Sequence, residues 1–296
     1  MISLKSFALV LGIAVVGCHK RSSDLMSSEL ATRASSRSYA IARAQFRSQL
    51  VRHGPAPQAH EPVSPPTGTV EISYTSTGLT LKAWHSVPPA SEQRLPAVLF
   101  LHGGFAFDES DWEMTKPYRD AGFVVLMPTL RGENGQGGDY SMFLNEIDDV
   151  LAAADKLASL PYVRSDRVYV AGHSVGGTLA MLAAMTSTRF RAAAAFSGSP
   201  DQLSWSNGQA DLIPFDASNI EEFRIRSPIA YATSFQCPVR LYFGASERYF
   251  ASVTPQLANL ARDAGLDVAA LSVPGDHFSH VPESMRQSIE FFRQKE

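Results

Sequence analysis

The side chains able to do chemistry gather around one serine. Gly172-His173-Ser174-Val175-Gly176-Gly177 follows a β-branched apolar run, Val168 to Ala171, and opens an Ala/Leu/Met run that ends at Met185. Strand, sharp turn and helix form the setting in which G-x-S-x-G is a nucleophile elbow, with the serine hydroxyl pushed out at the carboxyl end of a sheet. Gly172 and Gly176 suit a bend too tight for side chains. Ser174 is therefore the candidate nucleophile. A serine hydroxyl is a weak nucleophile at neutral pH and needs a positioned base. On an elbow of this kind the partners follow in the order acid, then histidine. The histidines downstream are His277 and His280. His277, in Gly275-Asp276-His277-Phe278 directly after the last apolar run, is the expected base, while His280 belongs with the final helix. His173 reads as a packing residue of the elbow. The acid is expected in the loop Gly244-Ala245-Ser246-Glu247, where Glu247 is the carboxylate on offer. Asp201, in the loop after the preceding strand, is the alternative, and Asp276 stands on the wrong side of the histidine. A tetrahedral oxyanion needs backbone N–H donors aimed at one point. Val175 at the helix start is one, and Gly104 or Phe105 in His102-Gly103-Gly104-Phe105 is the other, with His102 bracing that loop.

Such a constellation needs a scaffold of strands and helices in turn. Val70 to Tyr74 and Leu79 to Trp84 alternate in period two around Gly78, which reads as an antiparallel hairpin. Strands are then expected at Ala97 to Leu101, Phe123 to Met127, Val168 to Ala171, Ala192 to Phe196, Val239 to Phe243 and Val268 to Val273. Their apolar runs are continuous, as for parallel strands covered on both faces. Helices are expected between them, at Ser110 to Asp120, Met142 to Leu160, Val175 to Met185, Val253 to Ala264 and Val281 to Arg293. Ser141 is the expected cap of the second. The stretch from Gly198 to Gln236 reads as a small insertion over the sheet end, where ligands of open α/β sheets bind.

The elbow, the His102-Gly103-Gly104 loop, Arg131-Gly132-Glu133-Asn134-Gly135, Asp148-Asp149 and Gly275-Asp276-His277-Phe278 occur in one order. Together they resemble the catalytic domain of the prolyl oligopeptidase family, with dienelactone hydrolases as near relatives. The resemblance covers Pro96 to the end of the chain. It implies an α/β-hydrolase fold: a mostly parallel twisted sheet with helices on both faces, preceded here by the antiparallel hairpin. It also implies a serine hydrolase that works through an acyl-enzyme. Arg131 lies near the site mouth in that family and reads here as a salt bridge bracing its loop. Two departures stand out: Glu247 occupies the place of the usual aspartate, and the segment before Thr69 is too short for the β-propeller of the family's peptidases. Without a propeller to select peptides, a small ester or acyl substrate is expected first and a short peptide second. A non-catalytic binding protein on the same fold is a further alternative.

The chain has 296 residues and a formal net charge of -3, with no basic run, so no nucleic acid partner is expected. No ligand-spaced His/Cys cluster and no phosphate loop occur, so neither metal nor cofactor is expected. Lys5, the apolar run Phe7 to Val16 and then Gly17-Cys18 resemble a bacterial lipobox. Residues 1–18 are thus expected to be a lipoprotein-type signal peptide ending at an acylated Cys18, which would carry the protein to a membrane on its exported side. A plain signal peptide is the alternative. Residues 19–68, rich in Ser, Arg and Ala and then in Pro, are expected to be a tether, with one amphipathic helix between Ser22 and Arg52. Residues 69–296 form the hydrolase domain. Cys237 is left without an intrachain partner and reads as a buried small hydrophobe.

Overall fold

The structure is a computed structural model and describes residues 29–32, 35–89 and 93–296. The expected signal peptide and Cys18 lie outside the described residues. Two short helices come first, α1 (Glu29–Thr32) and α2 (Tyr39–Gln45). The hairpin follows as β1 (Thr69–Ser76) and β2 (Leu79–Ser86), paired antiparallel across the Thr77-Gly78 turn. The strands β3 (Leu95–Leu101), β4 (Val124–Pro128), β5 (Val163–His173), β6 (Ala193–Phe196), β7 (Val239–Gly244) and β8 (Val268–Val273) complete one eight-stranded sheet in the order β1-β2-β4-β3-β5-β6-β7-β8. From β4 onward in that order all pairs are parallel.

Alternate residues of β3 feed two cores. Ala97, Leu99 and Leu101 join one face of the sheet, and Val98 and Phe100 join the other, the period-two consequence of a pleated strand buried on both sides. The second core is closed by α3 (Glu109–Met114), α4 (Lys116–Asp120) and α10 (Val281–Gln294) through Trp112, Tyr118, Met285 and Phe292. On the opposite face lie α5 (Glu146–Ala158), α6 (Val175–Thr186) and α9 (Arg248–Asp263). Helix α6 is buried from Val175 to Met185 on every side, which explains why its sequence shows no polar stripe. The insertion holds α7 (Gln202–Trp205), α8 (Ile220–Arg224) and two 3-10 turns, Ala210–Leu212 and Pro228–Ser234.

Several expectations are corrected, and the one helix expected from Ser110 to Asp120 is two, α3 and α4. The helix expected from Met142 starts at Glu146, because Met142 and Phe143 take positive φ (55° and 70°). Ser141 does not cap it: its N–H and hydroxyl both donate to the buried Glu146 carboxylate, and its carbonyl accepts from Arg226 Nε. The described part of the expected tether is packed against the domain. Leu30 and Tyr39 are fully buried, and Tyr39 N–H donates to Ser234 Oγ while its ring meets Tyr231 edge-on at 5.2 Å. Arg43 pairs with Asp148 at 2.8 Å and donates to the Leu144 carbonyl. Ser48 Oγ donates to Glu222 and accepts from Arg226, inside a buried Arg226–Glu222 ion pair of 2.6 Å. The prolines from Pro55 on still forbid regular structure, but apolar, polar and charged residues ahead of them strap the segment across the insertion.

Candidate active site

The sheet delivers the candidate residues at the carboxyl ends of its strands. Register pairs Leu101 with Gly172, His173 with Phe196 and Gly244 with Val273, so the loops after β3, β5, β6, β7 and β8 open on the same edge. Ser174 has φ 54° and ψ −116°, a strained conformation for a residue with a side chain. Its N–H donates to the Phe196 carbonyl at 2.8 Å. A Cβ on Gly172 would strike the Gly176 carbonyl, and one on Gly176 would strike the Leu101 carbonyl. Both glycines therefore serve the elbow, the second by letting α6 start directly against the end of β3. Helix α6 presents the Val175 N–H in its first turn, where amides lack helical partners.

Glu247 and His277 meet across the ends of β7 and β8. His277 Nδ1–H donates to Glu247 Oε1 at 2.6 Å. The two loops are joined by Ala245 N–H to the Val273 carbonyl and Ser246 N–H to the Gly275 carbonyl. Burial works against the Glu247 charge, but hydrogen bonds from His277, Ser197 and the Gly244 N–H outweigh it and hold the carboxyl below the usual range. Asp276 shapes the loop that carries His277, accepting from Phe278 N–H, Ser279 N–H and Ser279 Oγ. Asp201 is brought elsewhere: its Oδ1 caps α7 through Leu203 N–H and Ser204 N–H.

His173 joins the elbow to this loop. Its Nε2–H donates to the His277 carbonyl at 2.8 Å, and the two rings lie 4.8 Å apart. Burial holds His173 neutral, with its pKa lowered to about 3, and its Nδ1 is buried with no partner. His173 thus ties the residue before Ser174 to the loop that carries His277, and no hydrogen bond between Ser174 Oγ and His277 is among those of the described residues. Phe250 stacks on the imidazole at 5.8 Å and Phe278 meets it edge-on at 5.2 Å, so the ring is walled on two sides.

The loop after β3 lies beside the elbow, with the Cβ position of Gly103 only 3.6 Å from Ser174 Cβ. His102 braces it. Both ring nitrogens donate, Nδ1 to the Gly103 carbonyl at 3.0 Å and Nε2 to Glu133 at 3.1 Å. Burial opposes a charge there, yet the Glu133 carboxylate overrides it and His102 is pushed up to about 9. Gly104 turns at φ 68°. Phe105 N–H is already taken by the side-chain carbonyl of Gln58, at 2.8 Å, from the N-terminal strap. Gln58 had no signature in the sequence, because its contact depends on how the strap lies. Arg131 pairs with Asp149 through Nε and a terminal nitrogen at 2.8 and 2.7 Å, a brace between its loop and α5.

A mostly parallel sheet with an elbow at the end of its central strand, an acid and a histidine on later strand ends and an N-terminal hairpin is the architecture of an α/β-hydrolase. The chain belongs to the prolyl oligopeptidase family, whose sequence profile matches residues 109–289, and is a serine hydrolase. It is 28% identical over 191 residues to a Bacillus subtilis protein named as an uncharacterized peptidase, YtmA, covering 60% of this chain and 72% of that protein. The acylaminoacyl peptidase of Pyrococcus horikoshii superposes with a TM-score of 0.65 at 20% identity, over 77% of this chain and 41% of that one. A Klebsiella pneumoniae protein assigned as a dienelactone hydrolase superposes at 0.58 with 16% identity, over 76% of this chain and 99% of its own length. The chain thus spans less than half of the acylaminoacyl peptidase, and among its described residues nothing forms a β-propeller.

Proposed function

We propose that this chain hydrolyses short peptide or acyl-amide substrates through an acyl-enzyme on Ser174. His277 removes the serine proton and returns it to the leaving group, while Glu247 holds the imidazole in the tautomer that leaves Nε2 free to accept. Val175 N–H and the Gly104 N–H receive the oxyanion, and Phe105 N–H joins them only if Gln58 yields. The observation that carries the reading is the 2.6 Å His277–Glu247 hydrogen bond at the strand ends that also carry the strained Ser174. The missing Ser174–His277 bond is compatible with it, since catalytic hydrogen bonds are often loose without substrate. Family membership and the peptidase name of the Bacillus relative support an amide over an ester. A small ester, which the sequence placed first, is the second reading; it is favoured by the lack of a propeller among the described residues.

Both readings are separated by one assay, in which a matched pair of substrates with the same acyl group, one an arylamide and one an aryl ester, is turned over by wild type and Ser174→Ala. Ser174-dependent cleavage of the amide supports the peptidase reading. Cleavage of the ester alone reverses the order, and equal cleavage by both enzymes removes Ser174 from the reaction.

We further propose that Cys18 is acylated and holds the domain at the exported face of a membrane, for which the lipobox-like run of residues 7–18 is the support. Cys18→Ala is expected to move the protein from the membrane to the soluble fraction; membrane retention by that variant contradicts the anchor.

A further inference from the structure

The hydrogen bonding of Glu247 continues beyond His277. Its second oxygen, Oε2, accepts from Ser197 Oγ at 2.5 Å and from Gly244 N–H at 2.6 Å. Ser197 Oγ lies 2.8 Å from His280 Nε2, and His280 Nδ1 lies 2.8 Å from Ser284 Oγ. His280 and Ser284 are fully buried and Ser197 is 2% exposed, so water does not complete these contacts. The proton directions follow from the carboxylate, which can only accept. Ser197 gives its one proton to Glu247, its oxygen receives the His280 Nε2–H, and the Nδ1 lone pair then receives the Ser284 hydroxyl. Burial disfavours a second proton on His280, in keeping with this single tautomer. Four side chains from β6, α9 and α10 and their adjoining loops form one directed chain that ends on the oxygen His277 does not use.

Ser197 itself is held at φ 47° at the carboxyl end of β6, with its N–H on the Tyr242 carbonyl. A serine has no intrinsic reason to be left-handed there, and such strain persists when the surroundings fix it. Glutamate also has one more rotatable bond than the aspartate usual in this place, so its carboxylate has more freedom to lose.

We propose that Ser197 and His280 are positioning residues for Glu247, holding Oε2 so that Oε1 stays on His277 Nδ1 and the longer acid works where aspartate is the rule. The proposal rests on Glu247 being the acid of the reaction. Four variants of the full chain test it: Ser197→Gly, His280→Leu, His280→Gln and Glu247→Gln. Ser197→Gly removes the hydroxyl while relieving the backbone, which offsets part of the cost of the two buried partners it leaves, so the variant should keep a cooperative unfolding transition and a native circular dichroism spectrum. Its kcat should nonetheless fall about tenfold or more, the value of one hydrogen bond to a charged group, with KM little changed. His280→Leu should behave alike, and His280→Gln, which keeps an N–H donor, should recover most of kcat. Wild-type kcat in Ser197→Gly and His280→Leu, or a kcat loss in His280→Leu that His280→Gln does not recover, with Glu247→Gln impaired, overturns the positioning role alone. Full activity of Glu247→Gln instead removes the acid assignment, and the proposal with it.

Discussion

At the scale of single residues the site is a set of protonation states fixed by neighbours. Glu247 stays a carboxylate because three donors reach it, and His277 is held by that carboxylate in the tautomer with Nε2 open. Glu247→Gln keeps the shape but can present an N–H to Nδ1 and favour the wrong tautomer; kcat is expected to fall by about two to four powers of ten, checked by steady-state kinetics. His102, in the loop after β3, and His173, in the elbow, are in opposite states. His102 is raised from 6.5 to about 9 by Glu133 against its burial, so its contribution to stability is complete below pH 6.5 and is lost as pH rises through about 9. His173 is lowered from 6.5 to about 3 by burial, so its contribution is present above pH 6.5 and is lost as pH falls toward about 3. Melting temperatures of wild type and His102→Gln across pH 6 to 10 check the first of these: the gap between the two should narrow with rising pH, and a constant gap contradicts the ion pair.

At the scale of elements, the N-terminal strap couples to the loop after β3. Gln58 Oε1 occupies the Phe105 N–H, and Ala56 N–H donates to the Gly132 carbonyl in the neighbouring loop. Gln58→Ala frees that amide for substrate, and kcat/KM for a small ester is expected to rise a few-fold, about 1 kcal/mol for the hydrogen bond no longer displaced; a fall instead would show that Gln58 supports the loop. Tyr39→Ala, which empties a fully buried aromatic site between α2 and the 3-10 turn at Tyr231, is expected to cost about 3 kcal/mol in denaturant unfolding. What the sequence made legible was the set of elements with a strong local signature. Parallel strands announce themselves as short continuous apolar runs, and the elbow by glycines that nothing else could replace. The strap did not, because Leu30 and Tyr39 are set among Ser, Arg and Ala residues and only the insertion they meet gives them an apolar partner. The start of α5 was misplaced for a related reason: Phe143 and Leu144 fit the helical stripe, but Glu146 bonds back to Ser141 and Arg226 fixes the turn. Glu247 was reachable by loop position, whereas Ser197 and His280 become visible only when β6 and α10 are brought together.

At the scale of the whole molecule, the sheet is a device for gathering loop residues that are distant in the chain. Ser174, Ser197, Glu247 and His277 span more than a hundred positions yet leave four parallel strands at one edge, which is how α/β sheets bring ligand sites to strand ends. The insertion and the strap then cover the same face of the sheet, joined through Arg226, Glu222 and Ser48. Covalent capture of the nucleophile tests the central claim most directly. The protein is treated with a fluorophosphonate, the intact mass is read and the modified peptide is sequenced. The account predicts one adduct per chain, on Ser174, formed slowly in Glu247→Gln and absent in Ser174→Ala. An adduct on another residue, or labelling that survives Ser174→Ala at the wild-type rate, would contradict it.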